Sequence, residues 1–272
     1  MSGARSEAFV TASVPEAYDR LLVGPVFEPW ARELVRRVAP APGATVLDLA
    51  CGPGTVARLV AERIGTAGRV VACDISPAML AVASAVPGVP GAAPIEYVES
   101  SADALPVADA ACDVVVCQQG LQFFPDRPAA LNEMRRALRD GGTVALAVWA
   151  VERPLGLFGP IGETVRDCGV PEPYPRAFEP DSYALGAPAL RDLLAGGGWR
   201  DVTVELVELE CVWATRDAVL GTVFGTPFGP LIAGLTPVEH ERFTGMLAER
   251  LGAAGDGEVR VRTAAHIASA TR

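Results

Sequence analysis

Residues 47–57 read LDLACGPGTVA. An apolar run, broken by Asp48, leads into two glycines that flank Pro53, and from Thr55 the apolar positions take up helical spacing. A strand that turns over glycines into a helix lets its backbone approach a ligand closely, because glycine tolerates positive φ and carries no Cβ. The question is which ligand suits a carboxylate four residues before the first glycine and a proline between the two.

Outward from this turn the chain alternates strands and helices. TVLDLA (45–50) predicts a strand and TVARLVAERI an amphipathic helix; RVVACDI (69–75) predicts a second strand, followed by a helix opened by Ser76 and Pro77. IEYVES is a third strand and CDVVVCQQ (112–119) a fourth, with a continuous apolar run as in a strand covered on both faces. AALNEMRRALRDGG predicts a helix stopped at Gly141, and TVALAVW (143–149) a fifth strand. PALRDLLAGGGW then predicts a helix, DVTVELVELECVW a long strand and EVRVRTAAHIASA a last one. The expected fold is α/β: a doubly wound, seven-stranded, mostly parallel sheet.

The expected organisation is an N-terminal helical cap over 1–40, a core over 41–150, a lid insertion at 151–187, core again at 188–213, a second lid insertion at 214–255 and the last strand in 256–272. In the cap, EPWARELVRRVA places Trp30, Leu34, Val35 and Val38 on one face. Residues 151–187 are rich in Pro and Gly; in the second insertion Thr236, Pro237 and Glu239 form a capping-box pattern, with an apolar stripe of Phe243, Met246, Leu247 and Leu251. Both insertions follow strands 5 and 6, whose carboxyl edge is where such sheets bind ligands.

Composition excludes several function classes. The net charge of −10 disfavours nucleic acid as a partner, and RELVRR (32–37) reads as the solvated side of a helix. The 23 basic residues are all Arg, so lysine Schiff-base chemistry is excluded. Cys51, Cys73, Cys112, Cys117, Cys168 and Cys211 form no C-x-x-C and have no His at ligand spacing; free thiols in a reducing compartment are expected, and no metal site. No apolar run reaches the ~18 residues of a membrane span, and residues 1–20 lack the apolar core of a signal peptide, so a cytoplasmic protein without membrane contact is expected.

Strand–glycine-turn–helix starts with an acidic residue closing the second strand serve two cofactor classes, dinucleotides and S-adenosylmethionine. Asp74, 20 residues after Gly54, can accept from ribose hydroxyls in either. The turn separates them. Ala57 stands where a dinucleotide site wants a third glycine, Pro53 removes an N–H, and Asp48 would repel a pyrophosphate, by about 4 kcal/mol for unit charges ~4 Å apart at an effective dielectric near 20. Toward a cofactor with an ammonium and a sulfonium the sign reverses.

DLACGPG followed by ACDIS resembles the class I S-adenosylmethionine-dependent methyltransferases, closely over roughly 40–150, and within them the ubiquinone/menaquinone-biosynthesis-like enzymes that act on small molecules. The resemblance implies a Rossmann-like fold and cofactor contact at Asp48, Ala50, Cys51, Gly52 and Gly54 in the first turn, and at Asp74, Ile75 and Met79 after strand 2. It further implies Ala102, Asp103 and Ala104 around the adenine, and Cys117, Gln118, Gln119 and Gln122 beside the methyl donor. Tyr18, Phe27 and Trp30 are candidates for a cover over the cofactor or, equally, for ordinary helix packing; His240 and His266 read as surface or structural residues. No catalytic base is evident. The Asp/Asn-Pro-Pro-Tyr/Phe signature of adenine methylation is absent after strand 4, and Cys117 lacks the proline that precedes the nucleophile of cytosine-C5 enzymes. The apolar segments PLGLFGPIG (154–162) and TVFGTPFGPLI (222–232) suit a moderately hydrophobic small-molecule acceptor, and the Arg/Ala/Gly-rich composition suits bacterial secondary metabolism. Two rivals share the pattern: an S-adenosylmethionine-binding pericyclase or decarboxylase-like enzyme, and a nicotinamide-dependent reductase.

Overall fold

The computed structural model describes residues 14–153, 156–171, 173, 184–253 and 255–272. Seven strands form one sheet: β1 (Thr45–Leu49), β2 (Arg69–Asp74), β3 (Ile95–Glu99), β4 (Cys112–Gln118), β5 (Leu138–Trp149), β6 (Arg200–Trp213) and β7 (Val259–Thr271), in the spatial order β3-β2-β1-β4-β5-β7-β6. The first five run parallel, and β7 enters antiparallel between β5 and β6. Strand order reverses between β1 and β4, the crevice where open α/β sheets bind ligands.

Period-two alternation explains why helices cover both faces. Val46, Val70, Val116 and Ala147 point into one core with Trp30 and Leu34 of α2 (Glu28–Val38) and Val60 and Ile64 of α3 (Thr55–Ile64). Their neighbours Leu47, Val71, Val115 and Leu146 point into the other, against Leu131 and Met134 of α5 (Arg127–Ala137) and Leu190 and Leu194 of α7 (Ala187–Gly196). Between β2 and β3 lies α4 (Pro77–Ala85), N-capped by the Ser76 side chain with Pro77 in its first turn, as the sequence predicts.

Two features depart from the expectation. The helix expected to run to Gly141 ends at Ala137, because Leu138 pairs with Cys112 and starts β5; the register then shifts before Val114. The N-terminal region is a short α1 (Val14–Tyr18), a π-helical stretch Asp19–Phe27 and then α2. Pro25 lacks an N–H and breaks an α-ladder, and the wider turn, closed by the Glu28 N–H on Val23 O, accommodates it. Trp30 belongs to the core, fully buried, its indole N–H donating to Thr263 Oγ1 at 3.0 Å.

After β5 comes α6 (Phe158–Asp167); after β6 come α8 (Arg216–Gly221), a 3-10 turn Thr222–Gly225, α9 (Gly229–Ala233) and α10 (Pro237–Arg250), whose capping box is formed as predicted. Ile161, Val165, Phe243 and Leu247 pack these helices onto the same core as α2 and α3. Much of the Pro-rich stretch near 170–180 lies outside the described residues. Among the described residues no helix is long and apolar enough to cross a membrane. His266 on β7 is buried and shares a 2.8 Å hydrogen bond with Glu152, whose other oxygen accepts from the Ala187 N–H, tying the chain after β5 to the sheet and to α7.

Candidate functional site

A cavity of about 1330 Å³, open mouth included, lies over the carboxyl ends of the parallel strands. Its floor is the strand ends themselves: Ala50 just after β1, Asp74 ending β2, Gln118 ending β4 and Trp149 ending β5 all line it. Gly52, Ile75, Ser76, Met79 and Gln119 complete that side. Ala50 and Gln119 hold φ of 57° and 55°, left-handed values that cost a non-glycine residue on the order of 1–3 kcal/mol and are retained mostly where a site requires them.

The glycine turn is held shut by Asp74. One carboxylate oxygen accepts from the Gly52 N–H at 2.8 Å and the other from the Ser76 N–H at 2.9 Å. Burial raises the Asp74 pKa, and these amides oppose the rise. Gly54 (φ 80°) N-caps α3 outside the cavity wall, and any Cβ there would sit 2.7 Å from the Tyr97 hydroxyl. Gly52 (φ 53°) faces open space, so there the backbone itself is the surface.

Asp48 lies behind this wall. It is fully buried in mid-sheet, between Ala72 and Val116, and neither carboxylate oxygen makes a well-formed hydrogen bond among the described residues, the Ala57 amide being the donor that faces it. Burial pushes its pKa up to about 8; the Asp74 charge adds to this, and the Ala57 amide and Arg58 oppose it. An orphaned buried carboxylate costs stability unless a cation or donor reaches it. Cys51, Cys117 and Gln122 are likewise buried and off the wall. Burial pushes the Cys117 thiol up to about 12, so it is neutral at pH 7 and no nucleophile.

Ala102, Asp103 and Ala104 stand outside the cavity wall, in a partly exposed turn closed by Ser100 Oγ on Ala104 O and by Ser101 Oγ on Asp103. The opposite wall is aromatic. Tyr18 and Phe27 stack at 4.7 Å; Phe27, Trp149 and Phe158 lie 5.6–6.5 Å apart; Phe123, Phe124 and Phe228 complete the lining. Burial, with Asp74 and Asp19 nearby, raises the Tyr18 hydroxyl, which therefore stays protonated. Trp149, Phe123 and Phe124 escape a sequence reading centred on the glycine turn, although their positions at the ends of β5 and β4 are the signal that finds them.

These residues fit S-adenosylmethionine. A buried carboxyl without a well-formed hydrogen bond is one that a nearby cation would ionise, glycine backbone lines the approach, and a wall carboxylate ends β2. The chain is 33% identical over 212 residues to an uncharacterised protein of Mycobacterium tuberculosis strain H37Rv, covering 78% of this chain and 74% of that protein. It is 39% identical over 137 residues to the ubiquinone/menaquinone biosynthesis C-methyltransferase UbiE of Xanthomonas campestris, covering 49% of this chain and 54% of that enzyme. Its fold is similar to that of a phosphoethanolamine N-methyltransferase of Haemonchus contortus solved with phosphomonomethylethanolamine and S-adenosylhomocysteine, with a TM-score of 0.62 at 17% identity over 100% of this chain and 59% of that one. Residues 8–153 match the ubiE/COQ5 methyltransferase family, and the chain belongs to that family as an S-adenosylmethionine-dependent methyltransferase.

Proposed function

We propose that the chain transfers a methyl group, by in-line displacement, to a small and moderately hydrophobic acceptor of bacterial secondary metabolism, seated against the aromatic wall. One observation carries the reading: the cavity that opens beside Gly52 and Asp74 continues onto Trp149, Phe158 and Phe228, an apolar surface contiguous with the cofactor side. S-adenosylmethionine supplies a methyl carbon already activated by a sulfonium. The chain's work is then positional: strand-end residues and the helices after β5 and β6 hold the nucleophile within ~3–3.5 Å of the methyl and keep water out.

Gly52, Asp74, Ile75 and Met79 are proposed for the adenosyl moiety, and Asp48, from behind the turn, as the charge that favours the cofactor's cationic end. Ala50, Cys51, Gly54, Ala102, Asp103, Ala104, Cys117, Gln118, Gln119 and Gln122 are proposed as contacts or supports of the same site. The segments around Phe158 and Phe228 are proposed as lids. No described wall residue is a free base: Tyr18 is protonated, and both Asp74 oxygens are engaged by amides. The nucleophile therefore arrives as an amine, a carbon or an already ionised oxygen, or loses its proton to water.

The test pairs deuteriomethyl-labelled S-adenosylmethionine with a library of hydrophobic acceptors, and mass spectrometry reads both product and S-adenosylhomocysteine. Trp149→Ala should raise the acceptor KM about tenfold and leave S-adenosylhomocysteine affinity within about threefold. An acceptor converted without label transfer or S-adenosylhomocysteine formation would refute methyl transfer and establish the non-methylating rival.

A further inference from the structure

At the amino edge of the sheet, away from the cavity over the strand carboxyl ends, lies a second cleft that methyl transfer does not use. Five residues line it: Arg135 in the last turn of α5, Asp140 near the start of β5, Gly198 just before β6, Arg200 opening β6 and Arg272 just after β7. The topology gathers them. Thr271, at the end of the antiparallel β7, pairs with Thr143 of β5 on one side and Arg200 of β6 on the other, so two strand starts and one strand end meet here.

Three guanidiniums and one carboxylate line this cleft, a local excess of positive charge in a chain of net charge −10. Asp140 is almost fully exposed and stands 3.5 Å from Arg272 Nε. The donors are unequally spent. Arg272 turns Nη1 onto the Arg136 and Leu138 carbonyls. Arg200 donates from Nη2 to the Arg272 backbone oxygen and has no ion pair among the described residues. Arg135 has neither a hydrogen bond nor an ion pair among the described residues; its Nε is closed to solvent, and its two terminal amines stay open. A Cβ on Gly198 would stand 3.9 Å from Arg135 Cζ and Nη2, so the guanidinium end lies against the bare glycine backbone that lines the cleft.

A guanidinium fork matches the paired oxygens of phosphate or sulfate, and such charge-assisted bonds are about twice as strong as neutral ones. A dianion recovers its lost hydration where more than one cation reaches it, and a monoanion draws less from the same donors. The negative charge of the whole chain opposes a long polyanion such as nucleic acid and leaves a small one. We propose that the amino edge of the sheet carries a second binding site, for a tetrahedral oxyanion held by Arg135, Arg200 and Arg272.

The test titrates the full chain with inorganic phosphate, sulfate and acetate at constant ionic strength, by calorimetry. Phosphate and sulfate should bind one per chain, at least tenfold more tightly than acetate. Arg135→Gln and Arg200→Gln should each weaken phosphate at least fivefold, and Arg135→Lys, which keeps the charge and loses the fork, should fall between Arg135→Gln and the wild-type chain. S-adenosylhomocysteine affinity on the same samples should not change, since neither residue lines the other cavity, and it reports that the variants are folded. Glucose 6-phosphate separates two sources of the anion: binding at least as tight as phosphate on the same arginines assigns the site to a phosphate ester, and exclusion assigns it to the free ion. Acetate bound as tightly as phosphate by the wild-type chain, or phosphate binding that does not saturate, overturns the proposal without need of a variant. Phosphate affinity that survives both glutamine substitutions overturns it as well.

Discussion

Asp48→Asn should make the ligand-free protein more stable, by an amount that depends on pH. In the fold the Asp48 carboxyl holds its proton up to about pH 8, against an ordinary value of 3.8 in the unfolded chain. The folded state therefore binds more protons than the unfolded state between these values, and stability falls as pH rises through the window. At pH 7 the loss is roughly 1.4 kcal/mol for each of the three pH units above 3.8, about 4 kcal/mol, and above pH 8 it levels off near 6 kcal/mol. Asparagine keeps the shape and has no proton to lose. Urea unfolding of both proteins without cofactor should therefore give equal stability at pH 4 and a gap that widens to about 4 kcal/mol at pH 7. The same substitution should weaken S-adenosylhomocysteine, whose ammonium loses the carboxylate that its arrival would ionise; calorimetry in buffers of different ionisation enthalpy should show proton release on binding to the wild-type chain and little to the variant. A gap that does not change with pH would mean that Asp48 is already ionised in the free protein, and would refute the account of it as a carboxylate waiting for a cation.

Three further outcomes test the geometry. Asp74→Asn replaces an oxygen that accepts from the Gly52 or Ser76 N–H with a donor, and should weaken S-adenosylhomocysteine at least tenfold by calorimetry. Gly54→Ala forces a Cβ into a left-handed position 2.7 Å from the Tyr97 hydroxyl and should lower stability by roughly 1–3 kcal/mol, read by thermal unfolding. Gly120→Ala would put a Cβ 2.6 Å from Ala50 Cβ and 2.8 Å from Cys117 Sγ, spreading the β1 and β4 ends; S-adenosylhomocysteine affinity should drop several-fold, and unchanged binding would show that those ends can separate freely.

The sheet and its order of elements were legible because the signals are local. Ser76 and Pro77 at the start of α4, Thr236 and Glu239 at the start of α10, and the Asp48–Gly54 turn each decide a structure within a few residues. The end of α5 was not legible for the opposite reason. Arg135–Leu138 carries good helix formers, but Leu138 is taken by Cys112, 26 residues away, and pairing across the sheet outweighs a propensity worth tenths of a kcal/mol per residue. The π-helical stretch was hidden likewise: Gly24 and Pro25 announce irregularity without saying which kind.

The proposed cofactor side of the cavity was readable because one turn and one strand end build most of it; the proposed acceptor side draws on Tyr18, on Trp149 and Phe158, and on Phe228, from three regions distant in the chain. What brings them together is packing that no motif encodes. Gly225, for example, has its α-carbon so close to Leu22 and the Ala17 carbonyl that a Cβ would fall 2.9 Å and 3.1 Å from them, and this fixes the approach of the β6–β7 segment to the N-terminal helices. The division has a physical origin. A cofactor shared across a fold is held by backbone and by one or two carboxylates whose positions the strands dictate, so its site survives as a short pattern. An acceptor is held by apolar area, which any large side chain supplies from any segment that reaches the cavity. Only the polar exceptions in such a wall carry a sequence-readable signal, and the described ones, Tyr18, Asp74, Ser76, Gln118, Gln119 and Thr226, come from four separate segments, of which the glycine-turn reading reaches two.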